Sequence, residues 1–307
     1  MGKLLVSGIS LLTAMMVAAP AFADEAPAPR KRAARPAQQQ RQQQQQPAQR
    51  QANWNGGQLG SSNGASNVSN NFVEPGAYVC PAAFPFGSHC FETPLAFSGN
   101  KTVYTSGFFL GYNWQWGAAV VGWMADIYWK KAETAGTVSS TTCFDVQCFI
   151  YRTDHKQGSI EQKWDASVVG RGGILVTPWT LVYVVGGVAF GRIEGSLAYQ
   201  GHIFGGPSHG SFATANGSWS DTRTGVTFCA GIETELGPIF GYGGLLGGNW
   251  KARVEWRRVD FGSYSKTLPV HTVCAGAGCS APSTSVLTHV DASFDRFTFG
   301  LARDLWY

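Results

Sequence analysis

From Trp54 onward, apolar residues recur at every second position far more often than every third or fourth, the period of strands with two differently surrounded faces. In 108–116, Phe108, Leu110, Tyr112, Trp114 and Trp116 share one face, while Phe109, Gly111, Asn113 and Gln115 share the other. The same alternation runs through 121–129, 164–174, 226–233, 250–257 and 296–307. Two strands are less sharply patterned, 54 to about 60 and 181–193, the second apolar on both parities. This gives eight strands. Their connections alternate between short ones at 116–118, 177–179 and the Gly-rich 237–248, and long ones at about 61–100, 131–158, 198–218 and 262–288. Short turns at one end and long loops at the other predict an all-β fold, an eight-stranded antiparallel transmembrane β-barrel.

Alternation alone also fits a soluble barrel with its apolar face inside. Three features decide for apolar outside. Trp114, Trp116, Trp123, Trp129, Trp164, Trp250 and Trp256 sit on the apolar parity, mostly toward strand ends, where an interfacial girdle belongs. The opposite parity mixes charges of both signs with Gly, Ser and Ala, which suits a narrow interior where ions must find partners. The last strand carries Phe299, Leu301, Leu305 and Tyr307 on one parity, the aromatic terminal pattern of a barrel handled by barrel-assembly machinery.

Composition agrees. Only 14% of the 307 residues are charged, against about 25% in soluble domains, and there are 39 Gly, 11 Trp, 10 Tyr and 19 Phe. A mean hydropathy of −0.08, with no long apolar run after the first 23 residues, excludes a bundle of spanning helices. Residues 1–23 read as a signal peptide: Lys3, a nearly continuous apolar run, then Ala21-Phe22-Ala23 for cleavage. Residues 24–53 form a Pro/Gln/Arg-rich tail with too little apolar content to repay ordering, expected to be disordered and periplasmic. Six basic residues from Arg30 to Arg50 against Asp24 and Glu25 give it +4, equal to the formal charge of the whole chain. The barrel, 54–307, is therefore close to neutral. The tail fits a solvated spacer or a weak adhesive for peptidoglycan, and nucleic acid is not an expected partner of an exported chain.

Seven cysteines fall as three close pairs and a single. In an oxidising compartment, Cys80 with Cys90, Cys143 with Cys148 and Cys274 with Cys279 are expected to form loop disulfides, although zinc bridging the two C-x4-C pairs is an alternative. Cys229, on an inward parity, reads as a small buried thiol. His89, His155, His202, His209, His271 and His289 lie in the loops or at their edges without ligand spacing. Gly206-Pro207-Ser208-His209-Gly210 matches G-x-S-x-G formally, but without the strand-to-helix elbow that presents a nucleophile. Asp126, Arg171, Glu233, Arg253 and Glu255 share the inward parity. They read as an interior salt-bridge network, with a catalytic or selectivity lining as the sharper alternative. No enzyme activity, cofactor or metal is expected.

Asn113-Trp114-Gln115 and the stretches 122–127, 167–173, 183–191, 225–233 and 250–262, taken in order, resemble the small outer-membrane surface-antigen/porin-like family of alphaproteobacteria. The resemblance implies an OmpA-like barrel in the bacterial outer membrane, contact with its lipid and lipopolysaccharide, and a role in envelope integrity or limited permeation. The expected function is that of a structural, surface-exposed envelope protein; the alternative is a narrow channel for ions or very small solutes. Two lumen positions depart from the family pattern. Met124 and Val169 stand where a carboxylate and an arginine are usual, so one charge pair is exchanged for an apolar pair and the lumen should be drier. Arg303 on the lipid parity is a third departure, able to snorkel to the periplasmic interface.

Overall fold

The computed structural model describes residues 53–75, 94–143, 146–205, 210, 212–241, 249–275 and 284–305. The expected signal peptide and nearly all of the tail lie outside the described residues. Eight strands follow one another: β1 (Gly56–Glu74), β2 (Leu95–Trp116), β3 (Ala119–Cys143), β4 (Tyr151–Thr177), β5 (Thr180–Phe204), β6 (Phe212–Glu235), β7 (Trp250–Ala275) and β8 (Thr284–Asp304). A single-turn helix, α1 (Gly237–Phe240), lies between β6 and β7. Each strand pairs antiparallel with the next and β8 pairs with β1, closing the ring. Paired residues followed once round the ring from Gln58 return to β1 at Val68, ten positions on. That stagger tilts the strands by roughly 40° and leaves an interior that side chains can fill.

The outward parity carries the expected apolar belt. Phe108, Leu110, Trp114, Trp123, Trp129, Val184, Phe228, Val254, Trp256, Phe297 and Phe299 are all exposed. The alternate parity is buried, including every member of the expected charge network. The orientation read from the sequence holds: tryptophans outside, ions inside. Arg303 faces out near the periplasmic end of β8, its guanidinium 5.9 Å from the centre of the Trp250 ring.

The long loops are corrected. Strands run 19 to 27 residues, against about 9–11 needed to cross hydrocarbon. Much of each expected loop is strand: 61–74 and 95–100, 131–143 and 151–158, 198–204 and 212–218, 262–275 and 284–288. Outside the membrane the outer face need not be apolar, so the alternation fades into Ser, Thr and Asn while the ladder continues. The first strand, expected over about 54–60, likewise extends to Glu74 because its outward side is polar. Irregular pairing between Gln162 and Trp164 places Lys163 and Trp164 together on the outside.

Candidate functional site

The lumen is filled in layers. At the periplasmic end Trp54 is buried, with Lys251 Nζ 4.2 Å from its ring centre, and Lys251 is 2.8 Å from Asp304. Around this Trp pack Val120, Leu181 and Ala302. Above it Arg171 meets Glu233 at 2.6 Å and stacks over Tyr183 at 3.8 Å. Gln58 adjoins this pair. With its amide oxygen turned toward Arg171, it accepts from that residue at 2.9 Å and donates to Glu233 at 3.1 Å.

Arg253 pairs with Glu255 and lies over Phe109. Tyr183 donates to Glu255 at 3.0 Å. Arg257 joins this layer to the next: its Nε donates to Glu255 at 2.9 Å and its Nη1 to Asp126 and Ser167 at 2.6 Å each. Ser167 in turn donates to Asp126 at 2.8 Å. Arg296, stacked over Tyr128, meets Asp165 at 2.7 Å, and Lys130 reaches the same carboxylate at 3.0 Å.

Of the five expected network residues, Arg171 with Glu233 and Arg253 with Glu255 are brought together directly, and Asp126 joins them through Arg257. Lys130, Asp165, Arg257, Arg296 and Lys251 were missing from the expected set. Their signal was available, since all lie on inward parities of strands whose alternation was already legible. Met124 and Val169 are directly paired across β3 and β4, both buried among apolar neighbours. An Arg253 guanidinium nitrogen lies 2.9 Å from the Met124 sulfur, so this apolar pair borders the charged layer. Cys229 is buried and unbridged.

Above the charges lies an apolar plug of Val68, Phe72, Leu95, Ile160, Ile193, Val259, Phe261 and Phe294 with their neighbours. Beyond it, outside the membrane, Lys156 reaches Glu74 at 2.9 Å, and Asp154 accepts from Tyr199 at 2.6 Å and from Arg152. Burial pushes the Tyr199 hydroxyl up in pKa, and burial also lowers that of Arg152. On the outer wall Lys163, hydrogen-bonded at 2.6 Å, holds the Glu194 carboxyl below its ordinary value, with Arg192 adding to the effect. Lys266 does the same for Asp221.

Cys143 and Cys148 are bridged, with Cα atoms 4.9 Å apart. Cys80, Cys90 and Cys279, His89 and His209, the 206–209 part of the G-x-S-x-G match, and Tyr307 lie outside the described residues, as do the side chains of Cys274 and His271. His155, His202 and His289 lie on extended strands rather than in loops. His155 bonds Ser139 at 2.8 Å and His289 bonds Ser265 at 2.7 Å. Among the described residues no three His, Cys, Asp or Glu side chains gather to hold a metal. Phe299 is exposed on the belt, Leu301 half-buried and Leu305 exposed just past the strand end.

Residues 42–300 match the family described as the outer membrane protein beta-barrel domain. The 31 kDa outer-membrane immunogenic protein of Brucella melitensis is 27% identical over 185 residues, 58% of this chain and 64% of that protein. The protein of the same name in Brucella suis matches equally. The match thus spans less than two thirds of these relatives. Among solved structures, OprG from Pseudomonas aeruginosa aligns with 82% of this chain and 98% of its own, at 8% identity and a TM-score of 0.37. The outer membrane protease OmpT from Escherichia coli aligns with 81% and 96%, at 9% and 0.35. Neither likeness is close enough to bear on chemistry.

Proposed function

The chain belongs to the outer membrane protein beta-barrel family, and from that premise we propose that it is a closed, non-conducting barrel that anchors a surface-exposed structure in the bacterial outer membrane. One observation carries the reading. The lumen is blocked twice, by interlocked buried ion pairs and by the apolar plug around Phe72, Phe261 and Phe294. An eight-stranded interior is only just wide enough for its own side chains, and here they fill it. A permeation path would have to break several buried charge contacts at once, each strongly unfavourable to open.

The strands project past the membrane as a continued wall, with the Cys143–Cys148 bridge beside the turn from β3 to β4. The naming of the Brucella relatives as immunogenic supports a surface-exposed role. Lipid and lipopolysaccharide would contact the belt, barrel-assembly machinery would insert the chain, and the basic tail would touch peptidoglycan. The reading gives no side chain a catalytic part, and incubation with phospholipid or peptide substrates should show no turnover. Planar-bilayer recording tests the main claim. The folded full-length protein should give no unit conductance, and reproducible steps would replace this reading with that of a narrow channel.

A further inference from the structure

β1 differs from its neighbours in what it turns toward lipid. Between Leu59 and Asn67 its outward residues are Ser61, Asn63 and Ala65. Their depth follows from the register. On β8 the outward residues run Arg303, Leu301, Phe299, Phe297, Asp295, so three apolar side chains lie between two charged ones. Leu59 pairs with Arg303 and Asn67 with Asp295, while Asn63 pairs with Phe299 and, with the strand tilt, lies slightly to its extracellular side, still inside the belt. On its other side Asn63 pairs with half-buried Ser106 of β2. A side-chain amide therefore faces the bilayer within the apolar belt, on its extracellular side, where hydrocarbon offers no hydrogen-bonding partner. Tyr104, also outward, donates to Asn63 Oδ1 at 2.7 Å and satisfies one acceptor site. The amide nitrogen, with two hydrogens to donate, has no partner among the described residues.

We propose that a second copy of this chain covers this strip, β1 against β1, about a twofold axis along the membrane normal. Every inserted copy has the same orientation, so such an axis sets each residue against the same depth of its partner, and the surface must complement itself. An amide does so, because it donates through nitrogen and accepts through oxygen; an exposed lysine or carboxylate at this depth would repel its own image. Asn63 Nδ2 is then within reach of the partner's Asn63 Oδ1 or the partner's Ser61 Oγ. The short side chains of Ser61 and Ala65 let the two walls approach closely. Phe297 and Phe299 on one flank of the strip would lie beside Phe108 and Leu110 on the other flank of the second copy. Lipid tails supply no acceptor, so lipid alone leaves the donors bare.

The test uses the full-length protein in vesicles and in isolated outer membranes, with a short bis-maleimide. Ala65→Cys, one step along the outward face from Asn63, should give a covalent homodimer at tenfold or more the yield of the unsubstituted protein or of Val188→Cys on β5, across the ring. Adding Asn63→Leu should bring that yield down to the control level. The mobility shift on boiling should persist in every variant and so show that each remains folded. Equal yields from β1 and β5 positions, a yield untouched by Asn63→Leu, or a crosslink to a different protein would each overturn the proposal.

Discussion

At the residue scale, Arg257 shows how the lumen is held. It touches carboxylates from β3 and from its own strand and a hydroxyl from β4, all buried. Removing it strands two carboxylates in a dry interior, and breaking a buried pair from one side costs about 3–5 kcal/mol. Arg257→Met should therefore lose that much in urea unfolding from lipid vesicles. Adding Asp126→Leu should restore more than half, because the charge and its partner leave together and Glu255 keeps Arg253. A double variant no more stable than the single would show that Arg257 acts by shape, not charge. On the outer wall the sign can be worked out for Glu194. Its carboxyl is held low by Lys163, then Arg192, so the pairing stabilises the fold above the ordinary glutamate range and is lost as pH falls through the depressed value. The pair is solvent-exposed, so its weight in stability is small, but the carbon resonance of Glu194 should titrate below an unpaired glutamate and move back up in Lys163→Met. An unshifted midpoint would contradict the contact.

At the element scale, close approach sets which strand positions must be glycine. A Cβ at Gly191 of β5 would strike the ring of Phe261 on β7, whose side chain is buried in the apolar plug. Gly191→Ala should cost about 1–3 kcal/mol through overpacking, and combining it with Phe261→Leu should recover part of the loss. No cost in the single variant would mean that the plug is loosely packed. These contacts also mark what the sequence could and could not convey. The period-2 pattern of 108–116 or 250–257 was legible because lipid demands apolar side chains outside and the lumen admits ions inside. The extracellular halves of β3 and β4 were not, because water on the outer wall imposes no such demand and Thr134–Thr142 keeps β-propensity without a period. The five expected lumen charges were placed correctly on the inner wall. Their pairings, and the part played by Arg257 and Arg296, depend on which strands meet across the ring, which alternation along one strand does not encode.

At the scale of the whole molecule, a filled lumen and a closed ladder make the barrel self-sufficient. Every described strand has two neighbours, and the N-terminal end of β1 is fixed by Trp54, whose backbone N–H donates to Gln115 at 2.9 Å. The ring so described is built from Trp54 onward, after the expected tail of residues 24–53. That segment nevertheless carries a charge of +4 while the rest is close to neutral, so it is where attraction to an acidic wall polymer would reside. Deleting residues 24–53 should accordingly leave insertion and the boiling-dependent mobility shift unchanged while lowering retention on isolated cell-wall material, with the difference shrinking as salt screens the charges. Retention equal to that of the full chain would remove the adhesive role. A lost mobility shift would place the tail within the folding unit and so undo the argument that the ring closes on its own contacts.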